Sequence, residues 1–329
     1  MSESHDPRRN GSAPELSVIL VISGQRERAA QALGSVLSQT PIDRMEVLLF
    51  DLGPEAAMPI QGSDHPRVKL TRSGPNDTLA AARLRGVRSA IAPIVAFIEE
   101  HCKMSPGWAE AIIAAHRQPW AAVGPDLVNG NPGAGISDKV FRMNYGTYVR
   151  PIGKPGPIGT IAGQNSAFKR EILLRYEADL ELLFYADLVL QWKMQKDGYE
   201  LYYEPGAQVA HRNEHTLESL ATGAFYWSWC FANVRAVVFQ WGFFRRGLWI
   251  AILPLIPWIR LAKMSRRVFA DKRASFIQFL RDVPFILTIQ HVSAAGQVAG
   301  LFNRLEYGAR KFSDFEMNEP RLTHAEWTR

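Results

Sequence analysis

The stretch Val95-Ala96-Phe97-Ile98-Glu99-Glu100-His101 runs four apolar residues straight into two carboxylates and an imidazole. A short apolar run of this kind reads as a buried strand, and the polar triplet then stands at the carboxyl end of a sheet, where open α/β folds bind ligands. Two carboxylates and an imidazole packed together disfavour one another's charged and buried forms. A cation resolves that conflict, either a divalent metal or a metal-bound diphosphate. The alternative reading is a polar turn that closes the strand. The neighbouring segments bear on the choice.

Outward from this point, strands and helices alternate. Leu16-Ser17-Val18-Ile19-Leu20-Val21-Ile22 is a β-branched run of the sort buried on both faces of a parallel sheet. Ala29, Ala30, Leu33, Val36 and Leu37 recur at helical spacing over 26–38. Met45 to Phe50 is the next strand, with Asp51 at its tip, and the three elements make a right-handed βαβ unit. Val68-Lys69-Leu70 is a third strand, and 77–90 is a helix carrying Arg83, Arg85 and Arg88. Parallel order then places Asp51 and Glu99 at neighbouring strand tips, favouring a shared pocket. Further on, a helix is expected after Pro106-Gly107-Trp108 and a strand at Ala121 to Gly124. Residues 129–163, rich in Gly, Pro and Asn, form a long loop on the acceptor side. Helices begin near Glu171 and at Asp187, the second ended by Gly198, and a strand at Glu200 to Tyr203 leads to His211 at another tip.

Composition narrows the class. A hydrophobic content of 47% is that of a globular chain. The net charge of +6 suits anionic partners. The two cysteines, Cys102 and Cys230, are too few for a disulfide framework or a Cys-rich zinc site, which fits a reducing cytoplasm. Residues 1–14 read as a flexible tail: Arg8-Arg9 is followed by too short an apolar run for an export signal.

In this order the motifs resemble the family 2 glycosyltransferases, nucleotide-sugar enzymes of the GT-A fold. The pieces are the strand 17–22, Leu37-Ser38-Gln39-Thr40, Asp51 before Leu52-Gly53, Ala82-Arg83 with Gly86, the acidic cluster before Pro106-Gly107-Trp108, Gly163/Asn165/Arg170, and Asp187 with Trp192-Lys193 and Gly198-Tyr199. The resemblance spans residues 16–211. It implies an α/β GT-A domain over 15–220, with a mostly parallel sheet flanked by helices. It further implies that Asp51 holds the nucleobase, that Arg83 lies near the nucleotide, and that Glu99 and Glu100 stand where an Asp-x-Asp motif touches ribose and diphosphate. Glu99, His101 and His211 become the metal set for Mn²⁺ or Mg²⁺, and Asp187 the general base of an inverting displacement. The sequence departs from the family in placing His101 where an acid is usual and Ala186 before Asp187 where Glu is usual. It lacks the Gln-x-x-Arg-Trp motif of processive synthases, which implies transfer of a single sugar. Without the analogy, Asp187 also reads as a helix N-cap and His211 as a strand-end histidine.

Residues 221–329 change character. Ala224 to Phe231 is strongly aromatic, and Leu248 to Ile259 is apolar but short for a bilayer span. From Arg245 to Arg273, eight basic residues face the single acid Asp271. Such a segment suits an anionic membrane surface. Val283 to Phe302 is long enough to span but carries Gln290, His291 and Gln297, so a helix in the interface or against a partner is expected. No nucleic-acid reading motif accompanies the charge. The expectation is a transferase at the cytoplasmic face of the cell membrane, with a nucleotide-sugar donor and a lipid-linked or surface-glycan acceptor. The alternative is an inactive GT-A scaffold that binds a partner or membrane.

Overall fold

The computed structural model describes residues 13–322 except 55–58, 73–76, 134, 147, 149–152 and 271–274, so most of the expected tail lies outside the described residues. In chain order the first half runs β1 (Leu16–Ile22), α1 (Arg26–Leu37), β2 (Met45–Asp51), β3 (Val68–Arg72), α2 (Leu79–Ser89), β4 (Ile94–Glu99), β5 (Cys102–Met104), α3 (Trp108–Ala115) and β6 (Ala122–Asn129). It continues through α4 (Ile136–Asn144), β7 (Gly156–Ile158), β8 (Ala167–Lys169), α5 (Arg170–Leu174), α6 (Glu177–Leu183), α7 (Asp187–Lys196) and β9 (Leu201–His211). Five helices follow: α8 (Leu217–Val238), α9 (Phe243–Ile252), α10 (Ile256–Ala270), α11 (Phe276–Phe302) and α12 (Leu305–Asn318).

The strands form one sheet in the order β3-β2-β1-β4-β8-β6-β9-β5, with β7 paired to β9. Every residue of β1 and β2 is buried, as their unbroken apolar runs require. One face packs on α1 and α3 through Ala29, Leu33, Val36, Trp108 and Ile112, and the other on α2, α6 and α7. The expectation of a mostly parallel sheet holds for β3-β2-β1-β4 and for β6 with β9. It is corrected at β8, which runs antiparallel to both β4 and β6, and at β5 and β7, antiparallel to β9. The result is a mixed GT-A sheet.

Two further corrections concern lengths. The stretch 129–163 is not a plain loop, since α4 and β7 lie within it. Strand β9 does not stop at Tyr203 but continues to His211 past an irregularity opposite Pro125 and Asp126. Helix α2 is capped by Thr78, whose Oγ1 accepts from the Ala81 N–H at 3.1 Å, and not by Asp77.

In the helical region α11 lies against α8 at very close range. A Cβ placed on Gly296 would stand 2.2 Å from the Phe225 carbonyl oxygen, and one on Gly300 would stand 2.2 Å from that of Trp229. Asn233 fastens the same crossing by donating from Nδ2 to the carbonyls of Gly300 (3.0 Å) and Asn303 (2.8 Å). The expected partner of α11 is therefore another helix of this chain. Half of its most apolar window is buried, against 17% for 243–270, which marks α9 and α10 as the outward pair. The continuous helical stretch 243–270, longer than the apolar run expected from the sequence, and α11 are each apolar and long enough, by length and composition, to cross a membrane.

Candidate active site

A cavity of about 790 Å³ opens between the carboxyl edge of the sheet and the helical region. Glu99, Asp187, His211, Glu316 and Arg321 stand on its walls. The sheet positions the first of these: Glu99 closes β4, His211 closes β9, and β5 pairs Cys102 opposite His211, which brings His101 alongside.

Three ligand atoms converge. His101 Nε2 lies 3.4 Å and His211 Nε2 3.6 Å from Glu99 Oε2, and the two Nε2 atoms are 3.1 Å apart. Metal–ligand bonds of about 2.1 Å place neighbouring ligand atoms about 3.0 Å apart in an octahedron and about 3.4 Å apart in a tetrahedron. The observed spacings match a ligand set around one ion. Asn213 strengthens this reading: its Oδ1 accepts from the Nδ1–H of His211 at 3.0 Å, which leaves the Nε2 lone pair facing inward. Asn165 holds Glu99 twice, donating from Nδ2 to Oε2 at 2.6 Å and accepting from the Glu99 N–H at 3.2 Å. Burial pushes the Glu99 carboxyl up, but the two imidazoles outweigh it and hold the group well below the usual range. Burial, reinforced by the Arg321 charge, pushes His101 well below the usual imidazole range, so it is neutral as a metal ligand must be. Cys102 belongs to the same donor group, all within 4.8 Å, but burial drives its thiol up and keeps it protonated.

A cation already touches this set. Arg321 donates from Nη1 to His101 Nε2 at 3.1 Å and from Nη2 to both Glu316 oxygens at 3.0 Å, with Glu214 at 3.3 Å. Glu316 is pushed up to about 7, first by burial.

Asp187 is the first residue of α7, and Ala186 occupies the cap position, so the N-cap reading does not apply. Its Oδ2 accepts from the Gly163 N–H at 3.0 Å and from Gln191 Nε2 at 3.5 Å. Burial lifts its pKa to about 6 against the opposing pull of the Gly163 N–H. Only glycine fits at 163, because a Cβ there would lie 2.7 Å from the Asp187 side chain.

The remaining expected residues stand apart. Glu100 turns away from Glu99, as strand alternation requires, and its carboxylate accepts from Ser23 N–H and Oγ–H at 2.8 Å each and from Arg28. Arg28 in turn donates to the Glu319 carbonyl at 2.8 Å, so Glu100 anchors the chain just after α12. Asp51 is separated from Glu99 by β1, at the level of Ile22, and lies outside the cavity lining; it accepts from Arg26 Nη1 and from the Gly53 N–H, both at 2.9 Å. The two tips thus stand on either side of β1, with Glu99 on the cavity wall. Arg83 is buried on α2 behind Glu99, 5.9 Å from the centre of the Phe97 ring. Burial lowers its pKa while Glu99, Glu316 and Asp187 oppose that shift. Glu214, Glu316 and Arg321 were not singled out from the sequence, and no spacing rule links them to Glu99.

Residues 17–176 match the family described as glycosyl transferase family 2. They form a family 2 glycosyltransferase domain. The chain is 24% identical over 247 residues to polypeptide N-acetylgalactosaminyltransferase 4 of Caenorhabditis elegans, covering 64% of this chain and 40% of that protein. It is 23% identical over 228 residues to polypeptide N-acetylgalactosaminyltransferase 11 of Xenopus tropicalis, covering 60% and 38%. The chain thus spans about two-fifths of these relatives. Among solved structures it is similar to the mannosyltransferase PcManGT from Pyrobaculum calidifontis, solved with GDP-Man and Mn²⁺, at a TM-score of 0.53 and 17% identity over 88% of each chain. The family 2 domain and its helical extension thus share an overall fold with that protein.

Proposed function

We propose that the chain transfers a single sugar, with inversion, from a nucleotide-sugar to a lipid-linked or surface-glycan acceptor at the cytoplasmic membrane face. One observation carries this reading: Glu99 and His211, whose donor set His101 completes, border the same cavity as Asp187. Glu99, His101 and His211 would hold a divalent ion, Mn²⁺ or Mg²⁺, which would supply positive charge for the leaving diphosphate. The protein's own groups do the rest. Asn165 and Asn213 aim two of the ligands. Asp187 accepts the proton of the acceptor hydroxyl. Asp51 holds the nucleobase and Arg83 adds positive charge behind Glu99. Residues 15–220 are the GT-A domain and 221–329 the membrane-associated part, where α9 and α10 turn Phe243, Phe244, Trp258 and Phe269 outward. An outward aromatic and apolar face flanked by Arg and Lys is what an interfacial helix pair presents to a bilayer.

Replacing Asp187 by Asn should lower sugar transfer about 100- to 10,000-fold while leaving Mn²⁺-dependent binding of the nucleotide intact. The test is transfer or donor hydrolysis across a panel of UDP-, GDP- and dTDP-sugars, together with calorimetry of the free nucleotides. The scaffold alternative expects no nucleotide binding with or without Mn²⁺, and that result would overturn the enzyme reading.

A further inference from the structure

The cavity is polarised. Its sheet side carries Glu99, Asp187 and His211, whereas Arg260, Lys263 and Arg267 enter the lining from α10. These three lie at i, i+3 and i+7 and so occupy one face of that helix. Their partners do not cancel their charge. Arg260 donates from Nη1 to the neutral Gln290 Oε1 at 2.7 Å, and among the described residues no carboxylate pairs with Arg260, Lys263 or Arg267. The acids nearest in the cavity are engaged elsewhere: Glu214 and Glu316 hold Arg321, and Glu99 holds the imidazoles. The same helix turns Trp258, Ile259 and Phe269 to the outside, at 54%, 45% and 69% exposure. The helical side of the lining also brings apolar Leu220, Ala224, Trp227 and Ile289. One short helix therefore joins a cationic stripe inside the cavity to an apolar face outside it.

Resting on the transferase reading above, we propose that Arg260, Lys263 and Arg267 form the anion subsite of the acceptor, and that the acceptor is a membrane lipid with a phosphate-bearing headgroup. The charge complements a phosphate monoester or diester. The outward apolar face keeps the acyl or prenyl tail in the bilayer while the headgroup reaches Asp187. The donor diphosphate is served from the opposite side, by the Glu99, His101 and His211 set, so the two anions do not compete for the same groups.

The test uses the full chain and calorimetry with monomeric dihexanoyl-phosphatidylglycerol below its micelle concentration, with dihexanoyl-phosphatidylcholine and inorganic phosphate as comparisons. Two charge-assisted contacts at about 1 kcal/mol each correspond to a change of about thirtyfold. The Lys263→Gln/Arg267→Gln pair should weaken phosphatidylglycerol binding by at least about tenfold. Arg266→Gln/Arg281→Gln, which removes the same charge from exposed positions outside the cavity lining, should change it less than about twofold. Binding of UDP or GDP with Mn²⁺ should survive in both pairs and serves as the check on folding. Equal loss in the two pairs overturns the proposal in favour of general surface attraction, and inorganic phosphate binding as tightly as the lipid overturns the lipid assignment. Loss of nucleotide binding in the Lys263/Arg267 pair alone, with the fold intact by circular dichroism, returns the stripe to the donor and also overturns it. If the unaltered chain binds the lipid but no nucleotide, the transferase reading fails while the lipid subsite stands.

Discussion

Asp187 draws its chemistry from a few neighbours. Burial raises its pKa to about 6, so the carboxylate form needed to take a proton is depleted below that pH and dominant above it. Transfer should therefore rise through about pH 6 and level off above it, and a pH–rate profile reads this directly. In Asp187→Asn the limb should vanish with the bulk of the rate. For the metal set, Asn213→Ala removes the acceptor that fixes the His211 ring and should weaken Mn²⁺ binding about 10- to 100-fold by calorimetry, with the sheet intact. The meeting of Glu99, His101 and His211 was legible in the sequence because strand tips announce themselves: Glu99 and His211 each follow an apolar run, and His101 stands two residues past the first tip. Glu100 shows the same rule from the other side. Side chains alternate along a strand, so adjacent carboxylates at its end separate, and Glu100 joined Ser23 and Arg28 instead of the cavity. Arg321 was not legible, since its meeting with His101 joins residues 220 positions apart through tertiary packing alone.

At the scale of elements, long periodic segments were readable and short ones were not. Strands β1, β2 and β4 carry enough apolar residues to declare themselves, as do α1 and α3. Strand β8 has three residues, Ala167 to Lys169, and its antiparallel place between β4 and β6 comes from its neighbours, not from its own composition. Helix α4 was hidden because a Gly- and Pro-rich setting masks the helical spacing of Val140 and Met143. The α8–α11 crossing offers a test of its own. Gly296 and Gly300 are one turn apart and each faces a backbone carbonyl, which cannot rotate aside as a side chain would. Gly300→Ala should destabilise the chain by about 1–3 kcal/mol or more, although alanine favours helix, and thermal unfolding measures the loss. Gly247→Ala on α9, where a Cβ meets nothing within 4 Å, is the control and should be neutral or slightly stabilising.

Across the whole molecule, the cavity has one wall from the sheet and one from the helical extension, so neither part contains the site alone. The family 2 match ends at residue 176, whereas Asp187, His211, Arg267 and Arg321 lie beyond it. The match reaches Glu99 and His101 of the candidate donor set and stops before Asp187 and His211. On the proposed seating of α9 and α10 at a membrane, their outward apolar face has a kinetic consequence. An enzyme seated on a bilayer meets its acceptor by diffusion in two dimensions, and the relevant quantity is then the mole fraction of acceptor in the surface, not its amount per volume. Diluting acceptor lipid into inert detergent micelles at constant total acceptor should slow transfer in proportion, whereas turnover of the water-soluble donor without acceptor should not respond. Replacing Phe243 and Phe244, both 89% exposed, by Ser should blunt that surface-dilution effect without changing the nucleotide affinity.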